Sequence, residues 1–280
     1  MTEPRTVSLP DDRRLAYEEY GRTDGRPVFC FHGNPGSRLL WSLFDDVAQG
    51  RDLRLVAPDR PGFGRSAFQP DRDLLDWVED VCELARELRI DRFGVVGFSA
   101  GGPHAAVCGA ELPDRVAETV LVSSPGPPAT LEHSTDGHRR MAAATQYPGV
   151  SRGLFGATGW LARNWRSRFR AAIERGASEP DRELLDSLAG DVVLADAAEA
   201  FRQGGKGPAH EYPLLAEAWP FDPADADPSL WHGRRDGSVD LAVAQELARE
   251  LPDPDLTVVD AGHYSTLVEE AEAILSAAAP

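Results

Sequence analysis

Along the first 124 residues, unbroken apolar runs alternate with amphipathic stretches. PVFCFHG, LRLVAPDRPG, RFGVVGFSAGG and VAETVLVSSP are short apolar segments that end in turn-forming residues. That pattern predicts strands buried on both faces of a parallel sheet. Between them, SRLLWSLFDDVAQ, DLLDWVEDVCELARELR and PHAAVCGAELP space their apolar residues for helices. Residues 5–20 alternate more loosely, as an antiparallel edge pair would. The rhythm breaks between about 125 and 225, where Arg, Ala, Trp and Phe accumulate without a strand signal. SRGLFGATGWLARNWRSRFRAAIERG and DRELLDSLAGDVVLADAAEAFRQGG there carry helical spacing. Strands resume at PSLWHGRRDG and DLTVVDAGH, with helices at LAVAQELAREL and around TLVEEAEAILSAAA. The expected fold is therefore α/β, a doubly wound and mostly parallel sheet, with an inserted helical cap. The expected units are 1–124 as the first part of the core, 125–225 as the cap and 226–280 as the second part of the core.

Composition narrows the function classes. A formal net charge of −17 over 280 residues makes nucleic acid and anionic membranes poor partners. Cys30, Cys82 and Cys108 have no metal or disulfide spacing and read as small buried hydrophobes. With no signal-type or membrane-spanning run, the expected location is the cytoplasm.

Candidate chemistry begins at Val95–Gly102, VVGFSAGG, where a β-branched run meets a helical pattern. Gly97 and Gly101 bracket Ser99 two residues to either side, with Phe98 and Ala100 next to it. A nucleophile on a tight strand-to-helix turn needs small residues on both sides, and the turn aims its hydroxyl at the open sheet edge. Serine then needs a base and an orienting acid. Of seven histidines, His263 follows a strand through Gly262 and precedes a helix, at the same edge as Ser99. His32 follows an earlier strand and is expected to line the pocket. His104 is expected to pack on the nucleophile helix, His133, His138 and His210 lie in the cap, and His232 closes a strand. Asp236, just past the penultimate strand, is the expected acid. Its rivals are Asp240, placed to cap the next helix, and Asp260, too close to His263 in sequence. Oxyanion donors are expected from the N–H of Ala100 and from Asn34 in FHGNPGS. DRPGFGRS, Asp59–Ser66, lacks the GK[ST] of a phosphate-binding loop.

HGNPGS, DRPGFGRS, GFSAGG, HGRRD and AGHYSTL together resemble the α/β-hydrolase superfamily, in its cap-bearing serine hydrolase branch, and they span nearly the whole chain. The resemblance implies hydrolysis of a carboxylic ester or lactone of a small molecule, without metal or organic cofactor. The alternatives are cleavage of a C–C or N-terminal peptide bond by the same triad, or a small-molecule receptor built on a hydrolase pocket. A serine at position 99 argues against the epoxide hydrolases and dehalogenases of that branch, which attack with aspartate. Asn34, where iminopeptidases typically carry glycine, lowers the peptidase alternative. Because the cap supplies the pocket in such proteins, Trp160, Trp219, Trp165 and Phe155 are candidate pocket residues beside His32 and Phe98. A homodimer is compatible with these features.

Overall fold

A computed structural model describes residues 4–133 and 136–280, leaving the side chain of His138 outside the described set. The apolar runs become strands: β1 (Arg5–Ser8), β2 (Arg14–Gly21), β3 (Arg26–Phe31), β4 (Leu53–Pro58), β5 (Phe93–Phe98), β6 (Val116–Val122), β7 (Ser229–Gly233) and β8 (Asp255–Val259). They form one sheet in the order β1-β2-β4-β3-β5-β6-β7-β8. β2 pairs antiparallel with both β1 and β4, and the remaining pairs are parallel.

Alternation along a strand sends neighbouring side chains to opposite faces. Phe29 and Phe31 of β3 join one apolar layer, with Trp77 and Leu84 of α2 (Leu75–Glu87), Ala105 of α3 (Gly101–Glu111) and Leu247 from the helix at Leu241–Glu250. Val28 and Cys30 join the other, with Trp41, Phe44 and the C-terminal Ile274 and Leu275. Both faces are covered at the centre of the sheet, so β5 is apolar and buried at every position and β3 from Val28 to Phe31. Cys30 and Cys108 are buried, Cys82 is half-buried, and all three are free thiols.

Between α2 and the start of the chain, the amphipathic stretch after β3 is not one helix. It is a 3₁₀ turn over Arg38–Phe44 followed by a short α1 (Asp45–Gly50). After β6 come a 3₁₀ turn at Pro128–His133 and then α4 (Asp136–Thr145), α5 (Pro148–Asn164), α6 (Arg166–Glu174), α7 (Glu179–Leu185), α8 (Leu188–Ala200) and α9 (Lys206–Ala216). The two long helical patterns of this region are each cut in two, at Trp165 and at Asp186–Ser187. α5, α6, α8 and α9 share a small core that includes Phe155, Phe169, Leu194, Phe201 and Ala209, while Leu184 and Leu185 of α7 join the layer on the sheet. The chain then completes the sheet layers with α10 (Leu241–Glu250), α11 (His263–Glu269) and α12 (Ala271–Ala277).

Parallel register aligns the strand ends. Phe31 pairs with Gly97, Phe98 with Val122, and Gly233 with Val259. His32, Ser99, Asp236 and His263, each just past a strand end, therefore lie at one edge of the sheet, beneath the cap.

Candidate active site

Ser99 sits between β5 and α3 with φ of +52°, the left-handed region that non-glycine residues occupy at a cost of about 1 kcal/mol or more. Its amide donates to Val122 O at 2.8 Å, and Gly102 N donates to Ser99 O at 2.8 Å, so both neighbours hold the turn. Gly101 is required by close approach: a side-chain carbon there would lie 2.8 Å from His32 O. The strained turn projects the Ser99 hydroxyl into the cavity under the cap.

His263 is the first residue of α11 rather than a loop residue, and its ring is buried. Nδ1 lies 2.7 Å from Asp236 Oδ2 and Nε2 lies 3.0 Å from Ser99 Oγ. With Asp236 accepting from Nδ1–H, Nε2 is free to accept the serine proton. Asp236 is fully buried at its side chain, and its Oδ1 accepts from the amides of Ser238 at 2.8 Å and Val239 at 2.9 Å. Burial opposes the charge of both groups, yet each outweighs it for the other. Asp236 stays below the usual carboxylate range and His263 rises above the usual imidazole value. The rivals are placed elsewhere. Asp240 caps α10 through Ala242 N, and Asp260 is an exposed partner of Arg235.

The structure brings Ala100 and Asn34 to the same cavity wall as Ser99. His32 is not a pocket residue, contrary to the sequence expectation. It lies behind that wall, where Nδ1–H donates to Gly33 O at 2.8 Å and Nε2 accepts from Arg60 N at 3.1 Å. Arg60 also donates to the His32 carbonyl and, at 3.1 Å, to Gly33 O. In a planar trans peptide the carbonyl and the following N–H point in opposite directions. Pinning Gly33 O from behind thus turns Asn34 N–H the other way, toward the cavity side. Burial and the Arg60 charge keep His32 well below its usual pKa, hence neutral.

The other expected pocket residues are also corrected. Phe98 is buried under the cavity, its ring 5.0 Å from that of His263 and 5.1 Å from that of Tyr264. Trp160 is 48% exposed on the cap surface, edge-on to Trp165. Trp219 stacks on Phe221 against the core, and Phe155 lies in the cap core beside Tyr212. Helix periodicity marks which residues are apolar but not which way a cap helix faces the sheet. The walls are instead Pro125, Thr130 and Leu131 after β6, Tyr212 and Leu215 of α9, and Val239 and Tyr264. They enclose about 220 Å³. Burial pushes the Tyr212 pKa up to about 12 and raises that of Tyr264, so both stay neutral. Among the described residues that line this cavity there is no Asp, Glu, Lys or Arg.

The remaining histidines have other places. His104 Nδ1–H donates to Ala100 O at 2.9 Å, and burial holds that ring neutral too. His232 packs behind Asp236, its Nε2 bonded to Val239 O at 3.0 Å. His210 is edge-on to Phe68, and His133 sits beside Glu132.

Sequence reasoning missed Arg60 and Glu211. Arg60 of DRPGFGRS is fully buried and makes a two-pronged pair with Glu211 of α9, at 2.7 and 2.8 Å, while Arg72 adds 3.1 Å. A cap carboxylate is thereby tied to the arginine that orients the Gly33–Asn34 peptide. The charged residue inside DRPG was the available signal. Among the described residues, no group of three or more His, Cys, Asp or Glu is arranged to hold a metal, and no helix is long and apolar enough to cross a membrane.

This geometry agrees with what the chain is similar to. It belongs to the α/β hydrolase fold family, whose model matches residues 26–270. A non-heme chloroperoxidase of Streptomyces lividans is 36% identical over 135 residues, covering 47% of this chain and 48% of that protein. The chain thus matches about half the length of that relative. Among solved structures, a hydrolase from Pseudomonas aeruginosa superposes with a TM-score of 0.70 at 20% identity, covering 98% of this chain and 96% of that one. An enol-lactonase from Burkholderia xenovorans gives 0.69 at 18% identity, with 97% of each chain covered.

Proposed function

We propose that this protein is a serine hydrolase that cleaves neutral carboxylic esters or lactones of small molecules through an acyl-enzyme. The observation that carries the reading is the hydrogen-bonded series Ser99–His263–Asp236 opening into an uncharged cavity. Ser99 Oγ attacks the acyl carbon as its proton passes to His263 Nε2. The N–H groups of Asn34 and Ala100 hold the oxyanion, and each such donor is worth about 3 kcal/mol. His263 then protonates the departing alkoxide, and a water repeats the sequence to release the acid. Asp236 keeps the imidazole oriented and stabilises its charged form.

The names of the relatives span more than one chemistry, so the choice of bond rests on the cavity. An aminopeptidase must hold a substrate ammonium, and a carboxylated substrate asks for a basic partner. The described walls offer neither. Short p-nitrophenyl esters should accordingly exceed proline p-nitroanilide and a carboxylate-bearing ester in kcat/KM by at least about 100-fold, since burying an unpaired charge costs about 3 kcal/mol or more. Equal rates on the charged substrates would overturn the neutral-ester assignment.

The receptor reading has one supporting observation. Tyr147, just before α5, and Val150 and Leu154 on its first turns are exposed at i, i+3, i+7 spacing, a face on which a partner could rest. Tight binding of a small molecule without turnover by the wild type would favour it.

A further inference from the structure

A contact between the cap and the base lies outside the proton-transfer series itself. Asp181, at the start of α7, is only 5% exposed and reaches down to the first turn of α11. Its Oδ2 accepts from His263 N at 2.8 Å, and its Oδ1 accepts from Tyr264 N and Ser265 N, each at 3.0 Å. Ser265 Oγ adds a bond at 3.1 Å, and Ser178 Oγ donates to Oδ2 at 3.0 Å. These three amides begin a helix and have no carbonyl within it to bond. The helix N-terminus also favours a negative charge.

Two glycines show how closely the cap approaches. Gly262 has φ of −92°, which any residue adopts, so its backbone does not call for glycine. A side-chain carbon there would instead lie 2.5 Å from Asp181 Oδ2 and overlap Ser178 Oγ. At Gly237, beside Asp236, the same addition would come 3.1 Å from Gly176 O. The cap turn from Gly176 to Asp181 therefore packs on the loop of the acid and on the loop of the base.

We propose that Asp181 is a positioning residue for His263: from the cap, it fixes the backbone of the base and sets a negative charge at the N-terminus of its helix. The proposal rests on His263 acting as the base for Ser99, and it makes docking of the cap and competence of the base one property.

Among the described residues, Asp236 faces His263 from the loop after β7 and Asp181 from α7, and His232 of β7 acts on it from behind Asp236. The Tyr264 ring lies edge-on at 5.5 Å, the β5–α3 turn offers Ser99 and Phe98, and Ser123 Oγ bonds to the His263 carbonyl. Burial opposes the imidazolium and both carboxylates favour it. Removing the Asp181 charge leaves the helix N-terminus uncompensated beside the ring, which also lowers its proton affinity.

The test compares wild type with Asp181→Asn and Gly262→Ala in the full chain. Against a short p-nitrophenyl ester, kcat should fall about 10- to 100-fold, as for a displaced catalytic group, with KM changed by less than about 2-fold. The acid limb of kcat/KM should move to lower pH in Asp181→Asn. The His263 ring pKa, followed by NMR, needs no substrate and should fall in the same variant. An unchanged ring pKa together with unchanged kcat would overturn the proposal. A ring pKa that falls in Asp181→Asn while the wild type neither turns over esters nor reacts with a fluorophosphonate would support Asp181 and overturn the hydrolase reading alone. Retained kcat in Gly262→Ala would count against close cap approach as the reason for that glycine.

Discussion

Within the core, the sheet meets its helices through side chains such as Phe29, Val96, Trp41 and Ile274, all fully buried and apolar. Where the cap meets the core, the buried groups include the carboxylates Asp181, Asp196, Glu199 and Glu211. Asp196 Oδ1 accepts from Ser37 N at 2.9 Å, Ser37 Oγ at 2.6 Å and Leu40 N at 2.9 Å. Burial pushes its pKa up to about 8. Glu199 pairs with Arg38 at 3.0 Å, and Glu211 with Arg60 and Arg72. Apolar burial is non-directional and scales with area, whereas a buried ion pair offsets its desolvation only when its hydrogen-bond geometry is good. This cap is therefore keyed to the segments that hold the site: Arg60 orients the Gly33–Asn34 peptide, and Asp181 holds the helix of His263.

The sharpest break in this picture is within the core site. Asp236→Asn keeps the shape but favours the wrong imidazole tautomer, and should lower kcat by about 10⁴-fold in steady-state ester hydrolysis. On the cap side, Glu211→Ala leaves Arg60 and Arg72 buried without their shared partner. It should destabilise the fold by about 3–5 kcal/mol in denaturant titration, because removing one member of a buried pair strands the other. A loss under 1 kcal/mol would mean that apolar contacts alone seat the cap.

The pH dependence separates two effects of opposite sign. His263 must be neutral to accept the serine proton, so kcat/KM should rise with pH through a midpoint above the ordinary imidazole value of 6.5. The stabilisation from imidazolium beside Asp236 is complete below that unfolded value and is lost as pH rises through the folded one. Asp236, depressed in the folded state, contributes stability at neutral pH that is lost as pH falls through its folded pKa. Paired activity and thermal-melt profiles would show the crossing. An activity midpoint below 6.5 would contradict the assigned environment of His263. The smallest effect is expected at Trp160→Ala, which should leave kcat/KM within about 2-fold because an exposed cap residue has no access to the cavity.

The core was legible in the sequence because strands buried on both faces leave continuous apolar runs, and because Ser99, Asp236 and His263 each follow one. Local spacing placed them at a shared edge, and the 2.7 and 3.0 Å contacts are the outcome. The cap was legible only as helical. Trp160 and Trp219 are apolar for reasons that periodicity cannot assign to cavity, cap core or surface. His32 was placed at the right loop but with the wrong orientation, since its partners Gly33 O and Arg60 N depend on a second loop. Asp181 gave no signal of its own in a chain with 46 acidic residues. Its trace was Gly262, a glycine whose purpose needs the opposing cap residue to be seen.

The central claim is that Ser99 is an activated nucleophile. Intact-mass analysis after exposure to a fluorophosphonate, on wild type and Ser99→Ala, tests it most directly. One adduct per wild-type chain, on the peptide containing Ser99 and absent from Ser99→Ala, is the expected result. A folded wild type that forms no adduct, or a Ser99→Ala chain labelled equally, would contradict it.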